Sequence, residues 1–312
     1  MTAMVALRDA LSDELISVAR QDDRIVVLDA DLATSTKVNN FQKAFPARFL
    51  QMGVAEQNMM GTAAGLATMG FMPFTSSFAV FIAKRALDQI RVSIAQPRLN
   101  VKLIGAYTGM FTGKTGKTHQ TVQDIAIMRS MPNMRIVAPC DAVDMKAALK
   151  AVVEYDGPVY IRVPRDPSPV FMPEDYKFRW GRPHILRNGG DLTIISSGVF
   201  TAKAMKIAGK LQEDGVNSRV VHLPSIKPID EKSVVEIAEV SKLIVTIEDH
   251  SVFGGLGGAI AEILSENRPT LMKRIGINDT FCESGSNEDL ICKYGFAVDE
   301  ISAICKSILS SL

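Results

Sequence analysis

Short apolar segments alternate with amphipathic ones along most of the 312-residue sequence, and this alternation limits the folds that the chain can adopt. Strands and helices in alternation are typical of a parallel sheet covered by helices on both faces. The sequence therefore predicts an α/β protein. The expected strands are 25–28, 49–52, 71–75, 101–105, 134–138, 159–162, 192–196, 218–222, 243–248 and 271–276. The expected helices are 5–21, one that begins at Glu56, 80–95, 122–129, 142–153, 201–214, 230–239, one after the glycines near 257 and one from Asp299.

Prolines interrupt the alternation between residues 164 and 190. Because proline disfavours both helix interiors and central strands, we place a domain boundary there. The prediction is two doubly wound domains. A domain with a mainly parallel sheet spans 1–170, a linker spans 171–188, and a smaller α/β domain spans 189–312. The prolines are Pro164, Pro167, Pro169, Pro173 and Pro183.

Charge and composition exclude several classes of partner. The net charge is +1, so no long-range field attracts nucleic acid or a membrane surface. No apolar run reaches the ~18 residues of a membrane helix, and the N-terminus lacks a signal-peptide pattern. The four cysteines have neither metal-type nor disulfide-type spacing. We therefore expect a cytoplasmic protein with no nucleic-acid partner, no membrane partner and no metal ligands of its own.

The segment 53–81 places a carboxylate close to two aromatic rings. Glu56 stands at the start of a helix of small apolar residues, and a short apolar strand and two phenylalanines, Phe78 and Phe81, follow. We expect the two phenylalanines to share one face of a helical turn. This arrangement suits a carboxylate that bonds a ring nitrogen while aromatic faces hold the ring. A glutamate favoured by the helix dipole, with two core phenylalanines, would give the same pattern.

The segment FGGLGGAI, which begins at Phe253, resembles a dinucleotide-binding fingerprint. No convincing acidic residue for a ribose follows it. Close packing of a helix on a sheet would explain the four glycines equally well.

Five segments resemble, in order, the thiamine-diphosphate transketolases: GVAEQNMMGTAAGLA, SSFAVF, GKTHQ, DGPVYIRVPRD and EDHSVFGGLG. The resemblance covers the pyrimidine-binding and C-terminal domains of that family. The family's amino-terminal domain, whose GDG motif and downstream Asn bind Mg²⁺ and the diphosphate, has no counterpart in this sequence. The resemblance implies the small subunit of a split transketolase, which works with a separately encoded large subunit in an α₂β₂ heterotetramer.

The resemblance also implies which residues contact the cofactor. Glu56 matches the glutamate that bonds the pyrimidine ring nitrogen of thiamine diphosphate and favours the imino form of the neighbouring amine. Phe78 and Phe81 match the aromatic residues that pack on the pyrimidine. Asp31 and Leu32 match a segment near the thiazolium ring. Mg²⁺ would be held by the partner subunit.

A second set of matches concerns the substrate, which the resemblance implies to be a sugar phosphate. His119 matches a catalytic histidine that faces the substrate carbonyl and hydroxyl. Arg8, Ser35 and Arg165 match residues that hold the phosphate, and planar guanidinium groups suit its oxygens. Tyr107 takes the place of a phosphate-side histidine.

One loop departs from the family pattern, because GKTGKTHQ replaces the usual GEDGPTHQ. Lys114, Thr115 and Lys117 therefore stand where two acidic residues and a proline are usual. The lysines favour an anionic group nearby, although solvated loop charges would look the same. The donor ketose could be a pentose phosphate, apulose 4-phosphate or 6-deoxy-6-sulfofructose.

Three further interpretations stay open. The chain could act like a 1-deoxyxylulose-5-phosphate synthase or like the β subunit of a 2-oxo-acid dehydrogenase. A non-catalytic assembly subunit is an alternative of another class, but Glu56, His119 and the two phenylalanines disfavour it.

Overall fold

The computed structural model of the protein describes residues 3–112 and 114–312. The first part of the chain contains β1 (Met4–Ala6), α1 (Leu7–Ala19), β2 (Ile25–Asp29), α2 (Ala33–Thr36), α3 (Asn39–Ala44), β3 (Phe49–Gln51), α4 (Glu56–Thr68), β4 (Met72–Phe78), α5 (Ala79–Arg85), α6 (Leu87–Gln89), β5 (Lys102–Ala106), α7 (Asp124–Ser130), β6 (Arg135–Val137), α8 (Ala142–Glu154), β7 (Val159–Val163) and β8 (Pro167–Pro169). The second part contains β9 (His184–Arg187), β10 (Leu192–Ser196), α9 (Phe200–Glu213), β11 (Ser218–His222), β12 (Ser225–Lys227), α10 (Glu231–Glu239), β13 (Ile244–Ser251), α11 (Leu256–Asn267), β14 (Met272–Ile277), α12 (Asn287–Lys293) and α13 (Val298–Leu309).

The larger sheet has the strand order β12-β6-β7-β5-β4-β2-β3. All of its neighbouring pairs are parallel except β12 with β6. Apolar side chains of α1 and α8 pack on one face, and those of α4, α5 and α7 pack on the other. The chain therefore covers both faces of a mainly parallel sheet, as the alternation of apolar and amphipathic segments predicts.

The smaller sheet has the order β14-β13-β10-β11-β9, and β9 is its single antiparallel edge strand. Separate apolar clusters lie on its two faces, one with α9 and α13 and the other with α10 and α11. The prediction of two mainly parallel α/β units is confirmed. The exact bounds 1–170, 171–188 and 189–312 stay a prediction. Strand β9 falls within the expected linker, and β12 leaves the second part of the chain to join the larger sheet.

The expected continuous helix 80–95 is wrong. Helix α5 ends at Arg85, Ala86 adopts a non-helical conformation, and residues 90–95 wind as a π-helix. At the break, the Arg85 carbonyl accepts a hydrogen bond from Gln57 Nε2 at 3.1 Å, so a side chain of α4 fixes the end of α5. Phe78 is the last residue of β4 and does not lie on a helical turn with Phe81.

The glycine-rich segment packs tightly against the sheet, and an internal carboxylate takes the place that a phosphate would need. Glu248 accepts hydrogen bonds from the backbone N–H groups of Leu256 and Gly257, at 2.6 and 2.8 Å, at the start of α11. A Cβ atom on Gly255 would lie 2.0 Å from Glu248 Oε2. The dinucleotide interpretation is therefore wrong, because the Glu248 carboxyl group already occupies the helix N-terminus. Within the described residues, no helix is both long and apolar enough to cross a membrane.

Candidate active site

Three neighbouring parallel strands deliver the candidate site residues at one edge of the larger sheet. The chain passes from β2 to β3 on one side of β2 and then to β4 on the other side, so the strand order reverses between β2 and β4. Open α/β sheets bind their ligands at the carboxyl ends of the strands at such a point. Asp31 and Leu32 follow β2, Phe78 ends β4, and Tyr107 directly follows β5.

Glu56 begins α4 and brings a nearly buried carboxylate to this edge. Its side chain is 4% exposed, and its two oxygens lie 3.1 and 3.4 Å from Arg85 Nη1. Buried carboxylates need a partner, and the half-exposed guanidinium of Arg85 provides one. Arg85 was not expected at the site from the sequence, because no motif distinguishes it from the neighbouring Lys84.

Four aromatic rings form one cluster, which Arg85 joins to Glu56, since its guanidinium carbon lies 4.0 Å from the Phe81 ring centroid. The Phe78 and Phe81 ring centroids are 6.0 Å apart, and Tyr107 lies 4.3 Å from Phe78. The His119 ring stands edge-on to both phenylalanines, at 6.0 Å from Phe78 and 5.5 Å from Phe81. Leu32 packs against the same cluster. The structure therefore brings together four of the aromatic residues that the sequence singles out.

Tyr107 joins this cluster to two arginines. Arg8 Nη1 donates to the Tyr107 hydroxyl at 2.9 Å and to the Ser35 backbone carbonyl at 3.0 Å. The Arg165 guanidinium carbon lies 5.5 Å from the Tyr107 ring centroid, and Arg165 Nη1 donates to the Thr112 carbonyl at 2.9 Å. Arg8 Nε is buried and has no hydrogen-bond partner among residues 3–112 and 114–312. Ser35 meets Arg8 through its backbone carbonyl, and its proposed contact with the phosphate stays a prediction.

The turn after β2 depends on a buried carboxylate that the sequence analysis did not assign to the site. Asp29 Oδ2 accepts hydrogen bonds from the backbone N–H groups of Leu32 and Ala33 and from Gln51 Nε2, all between 2.9 and 3.0 Å. Burial raises the pKa of Asp29. Asp31 adopts a positive φ of 61° and has an exposed side chain, so Asp29 shapes the turn and Asp31 faces solvent.

The substituted loop carries His119 and exposes both of its lysines, Lys114 and Lys117. Thr115 bonds Thr112 through the two hydroxyls at 2.6 Å, and Gln120 Nε2 donates to the carbonyls of Met110 and Glu283. Gly113 lies outside the described residues. The His119 Nδ1 atom lies 2.8 Å from the Thr118 hydroxyl, which fixes the ring from within the loop.

A buried ion pair near the end of this loop contacts the second domain. Asp124 accepts hydrogen bonds from Arg162 Nε at 2.8 Å and from the Tyr160 hydroxyl at 3.0 Å. Arg162 Nη2 also donates to the backbone carbonyl of Asp249, a residue of β13, at 3.2 Å. A signal for this pair was available in the sequence, since a charged residue within the expected buried strand of VYIRV needs a partner.

Asp249 itself reaches back to the start of the loop. Its Oδ1 atom accepts the Met110 N–H at 2.9 Å, and a Cβ atom on Gly109 would lie 1.7 Å from its Oδ2 atom. Gly109 also has a φ of +77°, so both the close approach and the backbone conformation require glycine here. Burial raises the pKa of Asp249 to about 7.

Another buried contact between the domains involves Cys140, Asp144 and His222, which the sequence spacing did not connect. Their ligand-type atoms lie within 4.8 Å of one another. Asp144 Oδ2 accepts the Cys140 N–H at 2.9 Å and lies 2.8 Å from His222 Nε2, while His222 Nδ1 lies 2.9 Å from the Thr201 hydroxyl. These hydrogen bonds explain why the three residues lie together. The cluster joins α8 to β11.

Comparison with known proteins identifies both parts of the chain. Residues 3–169 match the family described as "Transketolase, pyrimidine binding domain", and residues 181–301 match "Transketolase, C-terminal domain". The chain belongs to the transketolase family. Members of this family depend on thiamine diphosphate and a metal ion, and the expected resemblance is thereby confirmed.

Relatives of this transketolase-family chain match it over nearly their full length. One is the "6-deoxy-6-sulfo-D-fructose transketolase subunit SqwH" of Clostridium sp. (strain MSTE9), 42% identical over 95% of this chain and 92% of the relative. Another is a subunit of the apulose-4-phosphate transketolase of Phocaeicola vulgatus, 39% identical over 98% of this chain and 97% of the relative. A solved structure described as "Split gene transketolase, inactive beta4 tetramer" superposes with a TM-score of 0.90 at 44% identity, covering 98% of this chain and 99% of that one.

More distant relatives include a "1-deoxy-D-xylulose-5-phosphate synthase" of Desulforudis audaxviator. It is 33% identical over 98% of this chain, which spans 48% of that protein. The chain is therefore a transketolase-type subunit. It spans about half the length of a single-chain relative such as this synthase.

His250 allows a direct test of the contact between the domains. Its Nδ1 atom lies 2.8 Å from the Ser251 carbonyl and so donates, and its Nε2 atom accepts the Ala126 N–H at 3.3 Å. The ring must be neutral to make both bonds. Burial lowers the pKa of His250 from 6.5 to about 4, although Asp124 lies 4.0 Å away.

Because the folded pKa is depressed, the unfolded chain binds the extra proton first, and stability is lost as pH falls from about 6.5 to about 4. His250→Gln removes the imidazole that binds this proton. Urea denaturation gives the free energy of unfolding of both proteins. The excess of the wild-type value over the variant value should shrink by about 1 kcal/mol for each unit that the pH falls across that window. A difference that stays constant between these pH values would contradict a buried neutral His250.

Proposed function

We propose that the chain is the pyrimidine-binding small subunit of a split, thiamine-diphosphate-dependent transketolase. With a large subunit, it transfers a two-carbon ketol unit from a ketose phosphate or related anionic ketose to an aldose phosphate. The observation that carries this proposal is the nearly buried Glu56 carboxylate at the start of α4, which Arg85 joins to the Phe81 ring of the Phe78–Phe81 pair. A carboxylate with adjacent aromatic faces fits an aminopyrimidine, which needs an acceptor at its ring edge and a surface for stacking.

The mechanism rests on how Glu56 handles one proton. When bound, thiamine diphosphate supplies a thiazolium carbon that can act as a nucleophile. Glu56 would share a proton with the pyrimidine ring nitrogen of the bound cofactor. Phe78 and Phe81 would stack on that ring. Asp31 and Leu32, after β2, would lie towards its thiazolium side.

His119 and the Tyr107 cluster would act on the substrate. Within the described residues, His119 bonds Thr118 through Nδ1, which leaves Nε2 available for a substrate hydroxyl or carbonyl. Arg8 and Arg165 flank Tyr107 and would hold the anionic end of the sugar; the buried Arg8 Nε has no partner within the part of the chain that the structure describes. Ser35 would contribute to this end through its carbonyl contact with Arg8.

The donor is proposed to be an unusual ketose, such as 6-deoxy-6-sulfofructose or apulose 4-phosphate. Two observations support this choice. The relatives named for those substrates are similar over nearly the whole chain. Lys114 and Lys117 add positive charge where the family has an acidic residue and a proline. The pentose phosphates and a 1-deoxyxylulose-5-phosphate synthase-like reaction are the alternatives, the latter supported by relatives of that name.

A separate large subunit would hold Mg²⁺ and the diphosphate. Two small and two large subunits would form two sites, each between chains. The relative described as an inactive beta4 tetramer supports a need for a second kind of subunit.

Glu56→Gln tests the proposed proton transfer. The glutamine keeps a similar shape but cannot share the proton with the pyrimidine nitrogen, so exchange of the thiazolium carbon proton should slow by about 10²- to 10⁴-fold in the reconstituted enzyme. Quenched-flow exchange followed by NMR measures this rate. The matched control is Glu231→Gln, since Glu231 also begins a helix but is exposed. An unchanged exchange rate in Glu56→Gln would show that Glu56 does not activate the cofactor.

The loop variant Lys114→Glu, Thr115→Asp and Lys117→Pro tests donor choice. If the lysines favour the native anionic donor, restoring the family residues should shift the ratio of kcat/KM values toward xylulose 5-phosphate by about tenfold. A panel of ketose donors assayed on both proteins gives this ratio. The charge-matched control carries Lys43→Glu and Lys232→Glu, at two exposed sites away from the loop. The proposed donor choice fails if wild type already prefers xylulose 5-phosphate and the ratio stays unchanged.

A further inference from the structure

Arg85 makes, at the same time, two contacts that suit a flat nitrogenous ring. Its Nη1 atom donates to both Glu56 oxygens, at 3.1 and 3.4 Å. Its guanidinium carbon lies 4.0 Å from the Phe81 ring centroid, so the planar group stacks on that ring. The side chain is half-exposed, whereas Glu56 is nearly buried.

A guanidinium and an aminopyrimidine share the features that this place recognises. Both are flat, both present N–H donors in the plane of the group, and both stack favourably on an aromatic face. Arg85 Nη1 already bonds both Glu56 oxygens, and the guanidinium already lies over the Phe81 ring. A pyrimidine that made the same two contacts would have to displace it.

We propose that Arg85 is a placeholder for the pyrimidine ring of the cofactor. It satisfies the Glu56 charge and covers Phe81, and it swings out when the ring binds. The inference rests on the proposed cofactor site, and it adds a competition within this chain that sets cofactor affinity.

The main chain around Arg85 is suited to a movement of the side chain alone. Gln57 Nε2 holds the Arg85 carbonyl at 3.1 Å, and the helix ends at this residue. The backbone is thus tied to α4 while the side chain has a route into solvent. Without Arg85, Glu56 would be a buried carboxylate with no cationic partner, which destabilises a fold.

The test uses the full chain in complex with its large subunit and measures thiamine diphosphate binding by isothermal titration calorimetry at saturating Mg²⁺. Arg85→Met keeps much of the volume but removes the charge and the flat donor group. We expect it to bind the cofactor about two- to fivefold more tightly, since it no longer displaces a partly exposed ion pair. Arg85→Gln should also bind more tightly. The control Arg91→Ala removes an exposed arginine that pairs with Asp88 and should bind as wild type does.

A second readout does not need the cofactor. In the chain alone, Arg85→Met should lower the melting temperature, and adding Glu56→Gln should recover most of that loss, because the unpaired charge is gone. Weaker or unchanged cofactor binding by both Arg85 variants would overturn the placeholder role. If the wild-type complex does not bind thiamine diphosphate at all, the proposed function fails, whatever the Arg85 variants do.

Discussion

The buried ion pair between Asp124 and Arg162 is the interaction on which the geometry of the site depends. Both side chains are almost fully buried, and Arg162 extends the contact to the backbone of Asp249 in the second domain. Removing one member would leave an uncompensated buried charge, which typically destabilises a protein by about 3–5 kcal/mol. Because Asp249 also accepts the Met110 N–H, the pair fixes the start of the loop that carries His119.

The site then follows from the order of strands in the larger sheet. Neighbouring strands β2, β4 and β5 end at the same edge, and residues at or just after their ends form the cluster of Leu32, Phe78 and Tyr107. Helix α4 adds Glu56 from the crossover between β3 and β4. The chain thus builds one half of a site, with an acid, aromatic faces and two arginines. In the proposed function, the large subunit supplies the other half.

Much of this arrangement can be predicted from the sequence, because the buried parallel strands are short apolar runs and the helices between them are amphipathic. The aromatic residues of the site were found from motifs that resemble a known family. Arg85 could not be found in this way, since its role depends on where α5 ends, and that end is fixed by a side chain of α4. The helix 80–95 failed for the same reason. Strands β9 and β12 were missed because they are short, HILR and SIK, and lack a continuous apolar run.

The central claim is that this chain supplies only the pyrimidine side of a shared cofactor site. The most direct measurement is calorimetric titration of thiamine diphosphate with Mg²⁺ into the chain alone and into an equimolar mixture with its large subunit. The account predicts weak or undetectable binding to the chain alone, and tight, Mg²⁺-dependent binding to the mixture with one cofactor for each pair of chains. Equally tight, Mg²⁺-dependent binding to the chain alone would contradict it.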